Sequence, residues 1–307
     1  MKLKKPRFWN AGKFSIWPYF LFPFTFLFFL LSSFRNIKKK KFSIPVICVG
    51  NIYLGGTGKT PLASKIFKIC TLLGKKPGFI KKYYSYLNDE INMLKKIGPV
   101  FINKNRHSAI KSLIEEEKNV AILDDGFQDL SIEKSFSIIC FNEKQWIGNG
   151  FLIPSGPLRE KLSSLKKADC VFINGNKNLN IENKLLNENK NIKIFYSRYV
   201  PKNIKKIHNK KIIAFAGIGN PSNFFDLLKE NRIQLIEEIS YPDHYNYSKK
   251  ELNKLIKKSK EKNAILLTTE KDYSRIHYEY KDDINYLSIE LEIENEKKFI
   301  ETIKKII

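Results

Sequence analysis

The sequence is poor in cysteine, and its few cysteines do not stand in pairs. Cys48, Cys70, Cys140 and Cys170 are the four cysteines in 307 residues, and no CxxC spacing occurs. Disulfide frameworks and structural zinc sites need paired or closely spaced cysteines. The pattern is typical of a reducing compartment and gives no cysteine-based metal site. Cys48 and Cys140 lie in apolar runs, so we predict that they are core residues.

Acidic residues are outnumbered by basic ones, 31 against 55, and the formal net charge is +24. One interpretation is a bias toward Lys, Asn and Ile that has no functional meaning. The other is attraction to an anionic partner, either a membrane surface or nucleic acid. Binding to single-stranded nucleic acid needs aromatic residues among the basic ones. The lysine-rich segment 249–262 has few aromatics, so we expect no nucleic-acid partner.

A short apolar run lies near the N-terminus, at residues 16–31, with Thr25 as its polar exception. A comfortable membrane-spanning helix needs roughly 20 apolar residues. Basic residues stand on both sides of the run, and the absence of an A-x-A-like cleavage site disfavours a signal peptide. A single span and a shallow insertion with lysines on anionic headgroups both remain open. We assign residues 1–37 to a hydrophobic membrane-anchoring segment with a membrane-associated helix.

The rest of the chain alternates apolar strands with amphipathic helices, which predicts an α/β fold. Strands that are apolar throughout are typical of a mostly parallel sheet with helices on both faces. We predict such a domain at residues 38–195. A second, smaller α/β domain with a linker ribbon is predicted at residues 196–307. The polar, Asn- and Lys-rich residues 176–191 are predicted to form a solvated connection.

A glycine-rich stretch, GGTGKT, stands between a predicted strand and a predicted helix. Glycines let backbone amides turn toward phosphate oxygens, and the N-terminus of the helix adds a partial positive charge. In such a loop Lys59 would reach the β- and γ-phosphates, and the Thr60 hydroxyl would bind Mg²⁺. A tyrosine stands where the strict pattern has its first glycine. The residues predicted to bind the nucleotide are Tyr53, Leu54, Gly55, Gly56, Thr57, Gly58, Lys59 and Thr60.

Two aspartates follow another apolar run, in VAILDDGFQ. Acidic residues at the carboxyl end of a parallel strand lie where open α/β sheets bind ligands. Asp124 and Asp125 are therefore predicted to complete the metal site with Thr60. A GTPase usually carries an N-K-x-D base reader, and TTEKD (residues 268–272) does not match that spacing. We therefore expect ATP and Mg²⁺ as cofactors.

Six motifs together resemble the tetraacyldisaccharide 4'-kinase (lipid A 4'-kinase) family. They are GNIYLGGTGKTP, DDGFQ, GNGFLIPSGPLRE, AFAGIGNPSNFF, YPDHYNYS and TTEKD, and they occur in the family's order. The resemblance implies a P-loop NTPase-like kinase domain at residues 38–195. It also implies transfer of the γ-phosphate of ATP to the 4'-hydroxyl of a tetraacylated glucosamine disaccharide 1-phosphate. The expected location is the cytoplasmic face of the inner membrane of a Gram-negative bacterium, and we expect a monomer.

The resemblance also implies roles for acceptor-side residues. Asp89 would be the general base for the sugar hydroxyl, and His244, from the second domain, would pair with it. Arg159 would stabilise the transferring phosphoryl group together with Lys59. The other implied site residues are Glu90 and Glu160. The chain departs from the family's S-R-G-Y, in whose place it reads IKKYY at residues 80–84, and the loop before Asp89 is shortened.

A second hypothesis is a membrane-tethered P-loop ATPase that drives assembly or partitioning. Such a protein would couple nucleotide state to dimerisation and would not need an acceptor site. The lipid kinase, by contrast, needs Asp89 and His244 to face the γ-phosphate. The acceptor-side pair therefore discriminates between the two hypotheses.

Overall fold

The computed structural model describes residues 6–10, 15–33, 38–84 and 88–307, without the side chains of residues 28–33 and 88–89. Parts of the predicted anchor's basic flanks, at residues 2–5, 13 and 35, lie outside the described residues. The strands, in chain order, are β1 (Val46–Gly50), β2 (Pro77–Lys82), β3 (Val100–Asn103), β4 (Val120–Asp124), β5 (Phe136–Asn142), β6 (Cys170–Asn174), β7 (Lys193–Pro201), β8 (Ile212–Ala216), β9 (Leu235–Ser240), β10 (Ile265–Thr269), β11 (Ile284–Leu287) and β12 (Ile289–Ile293).

The α-helices of the described residues mostly connect these strands. They are α1 (Trp17–Ser33), α2 (Lys59–Leu72), α3 (Asn88–Lys95), α4 (Arg106–Glu115), α5 (Leu179–Glu188), α6 (Pro221–Glu230), α7 (Lys249–Glu261), α8 (Glu270–Tyr273) and α9 (Glu296–Lys304). Helix α2 buries Leu62, Ile66 and Ile69 on one face, as the sequence pattern predicts. Gly74 follows its end with φ +76°, a left-handed conformation that favours glycine and stops the helix.

One sheet has eight strands in the order β12-β7-β6-β5-β1-β4-β2-β3. Strand β1 lies between β5 and β4 and pairs with both in parallel, with Val49 opposite Asp124. Strands β1, β4 and β5 are buried along their whole length, because helices cover both faces. The carboxyl ends of β1 and β4 therefore meet at one sheet edge. The α/β class and the mostly parallel sheet predicted from the sequence are confirmed.

A second sheet has four strands in the order β11-β10-β8-β9, all paired in parallel. One face of β8 packs Phe215 against Leu252 and Leu255 of α7. The other face packs on apolar side chains of α6, including Phe225 and Leu228. This sheet lies in the second predicted α/β domain and has a core of its own.

The compact units of the chain are not contiguous in sequence. One unit contains residues 88–93 and Tyr199–Glu290, and the other contains the described residues up to Tyr84 together with Leu94–Arg198 and Leu291–Ile307. They therefore differ from the contiguous ranges 38–195 and 196–307. The start of α3, which carries Asp89 and Glu90, groups with the four-stranded sheet and with His244.

The prediction of a solvated connection at residues 176–191 is wrong, because α5 forms there. Asn178 caps this helix by accepting a hydrogen bond from the Ile181 amide. Ile181 and Leu185 are buried on its inner face. The many Asn and Lys residues of the segment concealed an apolar pair at four-residue spacing, which is enough to dock a short helix.

A helix does form in the predicted anchor, where α1 has 17 residues. Among the described residues, no helix combines the length and the apolar character needed to cross a membrane. Pro18 and Thr25 are buried against the protein, whereas most of the intervening aromatic side chains are exposed. The membrane association of this helix remains a prediction.

Candidate functional site: a phosphate loop and a separate acid–base cluster

The glycine-rich loop leaves β1 and leads directly into α2. Gly55 has φ +127° and Gly58 has φ +91°, conformations that residues with a side chain rarely adopt. The buried side chain of Asn51 donates hydrogen bonds to the Gly55 carbonyl oxygen at 3.3 Å and to Thr57 Oγ1 at 2.9 Å. This brace holds the loop in shape. Sequence reasoning missed Asn51, although it stands in the same motif.

Two residues predicted to bind the nucleotide, Tyr53 and Leu54, contact residues that lie outside the phosphate loop. The side chain of Tyr53 is 1% exposed and lies in the core, so only its backbone is available to a nucleotide. The Leu54 amide donates to the Pro157 carbonyl oxygen at 2.8 Å. Tyr53 and Leu158 form an isolated antiparallel bridge. The GNGFLIPSGPLRE motif therefore supports the start of the phosphate loop.

Thr60 and Asp124 come together as the sequence predicts for a metal site. Thr60 Oγ1 donates to Asp124 Oδ2 at 3.2 Å. Asp124 is fully buried, and its Oδ1 has no hydrogen-bond partner among the described residues. An unpaired buried carboxylate oxygen costs free energy unless it binds a cation or a donor. A hydroxyl beside a carboxylate oxygen of this kind fits Mg²⁺, which prefers oxygen ligands.

Asp125 binds cationic side chains. Arg159 Nη1 lies 2.9 Å from Asp125 Oδ1, and Lys59 Nζ lies 3.9 Å from Oδ2. Burial raises the pKa of Asp125, but Lys59 and Arg159 outweigh it and hold the pKa below its usual value. The carboxylate is therefore ionised at neutral pH. It fixes two cations at the end of the sheet where the phosphate loop begins.

Three further residues at this edge were not among the predicted site residues, although Gln128 belongs to the DDGFQ motif. Arg106 donates to the Asp125 carbonyl oxygen at 2.7 Å and to Asp129 Oδ2 at 3.0 Å. Gln128 donates to the Asn51 carbonyl oxygen at 2.8 Å and accepts from Arg159 at 3.3 Å. The third is Lys81, whose Nζ lies 2.5 Å from Asp124 Oδ2.

Glu160, the last residue of the GNGFLIPSGPLRE motif, is a further predicted site residue. It is half-buried and follows Arg159, whose amide donates to the Ile52 carbonyl oxygen at 2.7 Å. Burial lowers the pKa of Lys134, and Glu160 is one of the negative groups that oppose this shift. The negative charge of Glu160 thus favours the charged form of Lys134.

A second cluster lies in the unit that contains the four-stranded sheet. Lys271 Nζ is 3.0 Å from Glu90 Oε1 and 3.3 Å from His244 Nε2. His244 Nε2 is also 3.8 Å from Glu90 Oε1 and 3.9 Å from Asp243 Oδ1. The side chain of Asp89 lies outside the described part of the chain, although its backbone belongs to α3. The structure therefore brings Glu90 and His244 together and adds Lys271 from TTEKD, while the pairing of Asp89 with His244 stays a prediction.

The TTEKD motif also shapes the loop that carries His244. Asp272 is fully buried and accepts hydrogen bonds from the Gly217 amide at 3.1 Å and the Tyr247 hydroxyl at 3.0 Å. The Gly217 carbonyl oxygen in turn accepts from the His244 amide at 3.1 Å. His244 has φ +55°, which is uncommon for a residue with a side chain. Contacts around Asp272 thus hold an unusual backbone turn that sets the position of the imidazole.

The fold and the phosphate loop define a class of protein, the P-loop nucleotide-binding proteins with a mostly parallel sheet. A sequence profile described as "LpxK: Tetraacyldisaccharide-1-P 4'-kinase" matches residues 17–307. The chain therefore belongs to the tetraacyldisaccharide-1-P 4'-kinase family, and it is a kinase. A tetraacyldisaccharide 4'-kinase of Pelagibacter ubique is 42% identical, over 100% of this chain and 99% of that protein.

Two further comparisons agree. A tetraacyldisaccharide 4'-kinase of Rickettsia canadensis is 35% identical, over 99% of this chain and 98% of the relative. The crystal structure of LpxK from Aquifex aeolicus in complex with ATP is similar with a TM-score of 0.70 and 26% sequence identity. That similarity covers 94% of this chain and 99% of the solved chain. The resemblance drawn from the six motifs is thus confirmed over nearly the whole sequence.

Proposed function

We propose that this kinase transfers the γ-phosphate of ATP to the 4'-hydroxyl of a tetraacylated glucosamine disaccharide 1-phosphate. The observation that carries the proposal is the convergence of Lys59, Thr60, Asp124, Asp125 and Arg159 at one sheet edge, in a chain of this family. Phosphoryl transfer depends mainly on positioning and on neutralising negative charge. These residues supply cationic side chains and an oxygen site for a divalent cation.

The roles on the nucleotide side follow from the contacts. Lys59 and Arg159 would stabilise charge on the transferring phosphoryl group, with Asp125 fixing both side chains. Thr60 and Asp124 would hold Mg²⁺, which neutralises phosphate charge when it is bound. The amides of residues 55–58 would cradle the phosphates. Asn51 would keep the loop rigid, so that little ordering is needed when ATP binds.

The roles on the acceptor side rest on the cluster around His244. Asp89 would accept the proton of the 4'-hydroxyl while the hydroxyl oxygen bonds to phosphorus and ADP leaves. His244 would orient Asp89 and share the proton's charge. Lys271 lies against both Glu90 and His244, and Glu90 would thereby support the cluster. A carboxylate near an imidazole is a common arrangement for proton transfer.

We also propose that the enzyme works as a monomer on the cytoplasmic face of the inner membrane of a Gram-negative bacterium. Helix α1 exposes large aromatic side chains, and these include Trp17 at 55%, Phe20 at 66% and Phe24 at 60%. Exposed lysines at residues 38–41 follow the helix. An apolar surface beside basic residues is typical of binding to an anionic membrane interface. A glycolipid acceptor remains in the bilayer, so a membrane-bound kinase would have direct access to it.

The reaction is tested by thin-layer chromatography with γ-labelled ATP, Mg²⁺ and the tetraacylated disaccharide 1-phosphate in detergent. We expect label on the lipid, and none when the 4'-hydroxyl is absent. ATP hydrolysis at the same rate with and without lipid, and no labelled lipid, would instead favour a membrane-tethered ATPase. No observation in the described chain favours that second function.

A further inference from the structure

Lys81 is a buried lysine beside the proposed metal site. Its side chain is 3% exposed, and its Nζ lies 2.5 Å from Oδ2 of the fully buried Asp124. The pair arises from strand alignment, because β2 and β4 are parallel with Ile80 opposite Leu123. The next residue of each strand is Lys81 and Asp124. Burying an ammonium group is costly unless a negative group compensates it.

The carboxylate that Lys81 contacts is also the one proposed to bind Mg²⁺. Thr60 Oγ1 donates to the same Oδ2 atom at 3.2 Å. A divalent cation that approaches Asp124 is therefore repelled by the ammonium group of Lys81, which already contacts the same carboxylate. In a buried site, repulsion between such charges is strong.

We propose that Lys81 is an internal counter-ion of Asp124 and competes with divalent metal for this carboxylate. Metal alone then binds weakly. Metal that arrives with nucleotide phosphates binds better, because the phosphates compensate the charges of both the metal and Lys81. This proposal gives Lys81 a positioning role, in which it couples metal binding to nucleotide binding. It rests on the proposed metal site at Thr60 and Asp124.

The test measures binding of Mn²⁺ by electron paramagnetic resonance, with and without a non-hydrolysable ATP analogue. We expect Lys81→Met to bind Mn²⁺ alone about tenfold more tightly than the unchanged protein, or better. The ratio of affinities with and without the analogue should fall by a similar factor. The matched control is Lys82→Met, since Lys82 is the next residue and its Nζ lies over the Tyr84 ring. Its Mn²⁺ affinity should not change.

Removing one partner of a buried ion pair destabilises a protein, so Lys81→Met should lower Tm by about 5–15 °C without metal. Mn²⁺ should restore much of that loss in the variant and should stabilise the unchanged protein far less. Lys81→Gln provides a second variant, because its longer side chain carries a neutral amide that can donate to Asp124 while the positive charge is gone. It should also bind Mn²⁺ more tightly.

Adding Asp124→Asn to either Lys81 variant should abolish the gain in Mn²⁺ affinity. This result would show that the additional affinity comes from Mn²⁺ bound to the Asp124 carboxylate. Unchanged Mn²⁺ affinity in both single variants would overturn the proposal and leave Lys81 as a structural partner of Asp124. Mn²⁺ binding alone does not depend on the lipid acceptor. Failure of this proposal therefore leaves the kinase function standing, and failure of lipid phosphorylation would not alter the Mn²⁺ result.

Discussion

The phosphate loop and the cluster around His244 are built in different ways. The phosphate loop comes from one short stretch, residues 50–60, in which glycine conformations and the brace from Asn51 are neighbours in sequence. The cluster around His244 draws Glu90, His244 and Lys271 from three separate segments. Long-range packing of the four-stranded unit therefore has to form before that cluster exists.

Because the phosphate loop and the cluster around His244 are built differently, substitutions in the two regions should have different effects. Substitutions in the phosphate loop should affect chemistry directly and stability little, because its glycine turns and the Asn51 brace lie within residues 50–60 and only its first residues contact distant segments. The His244 loop depends on buried Asp272, which ties together residues far apart in sequence. Changes there should affect stability and the position of the imidazole together.

Lys59→Ala should reduce lipid phosphorylation to the background of the assay, a loss of about 10³-fold or more. The reason is that Lys59 would carry positive charge to the transferring phosphoryl group, where one cation has a very large effect on rate. The measurement is the rate of lipid labelling at saturating ATP. Thermal unfolding should be nearly unchanged.

Lys68→Ala is the matched control for Lys59→Ala, since Lys68 lies exposed on the same helix. It should keep normal activity. Near-normal labelling by Lys59→Ala would show that this loop is not where phosphate is transferred, and would remove the basis of the contrast between the two regions.

Asp89→Ala and His244→Ala should each lower kcat by about 10²–10⁴-fold, as is typical for loss of general-base catalysis. Residues that act as one unit are not additive, so the double variant should be little worse than the poorer single variant. KM for ATP should barely change in any of the three. The measurement is a double-mutant cycle at saturating substrates.

Multiplied losses with a raised KM for the lipid would contradict the Asp89–His244 dyad. Both residues would then act as independent lipid-positioning groups. A useful comparison is Glu90→Gln, which keeps the shape of a side chain that contacts Lys271. If Glu90 only supports the cluster, its variant should lose less activity than Asp89→Ala.

Much of the fold could be predicted because buried parallel strands are continuous apolar runs. Strands β1, β4 and β5 are of this kind, and the loop that follows β1 could be predicted from its glycine-rich GGTGKT sequence. The site residues that were not predicted from the sequence are positioned by strand register or by packing between segments far apart in the chain. Lys81 looks like any other lysine in a chain with 55 basic residues, and only the alignment of β2 with β4 places it on Asp124.

The acid–base cluster illustrates the same limit. TTEKD stood out in sequence only by resemblance, since no local pattern indicates that Asp272 holds Gly217 and Tyr247. Helix α5 was missed because Asn and Lys dominate its sequence. In both places one or two buried contacts decide the structure, and composition does not reveal them.

Asp272→Asn should destabilise the four-stranded unit by about 3 kcal/mol, because an amide cannot accept from every donor that faces this buried carboxylate. Arg275 Nη1 lies 3.1 Å from Asp272 Oδ1, and Thr269 Oγ1 donates to Oδ2 at 2.7 Å. Hydrogen exchange should increase in β8 and β10 and should change little in β1. The matched control is Asp282→Asn, an exposed position where we expect no effect. If hydrogen exchange increased equally in the eight-stranded and the four-stranded sheet, the idea that the two sheets are stabilised separately would be contradicted.

The smallest expected effect concerns the contact that holds α1 to the rest of its unit. Thr25 Oγ1 lies 2.7 Å from the fully buried Ser155 Oγ and accepts a hydrogen bond from the Ser155 amide at 3.3 Å. Thr25→Val keeps the shape but leaves these groups unpaired, which should cost about 1 kcal/mol.

Because Leu54 donates to Pro157 in the segment that also contains Ser155, exchange should rise in the phosphate loop as well as in α1. The four-stranded sheet should be unaffected, the reverse of Asp272→Asn. Ser15→Ala, which removes an exposed hydrogen bond to the Trp17 amide, is the control and should change neither region. If exchange in Thr25→Val rises only within α1, then the phosphate loop is stabilised independently of the helix, and the contrast between local and long-range construction becomes sharper.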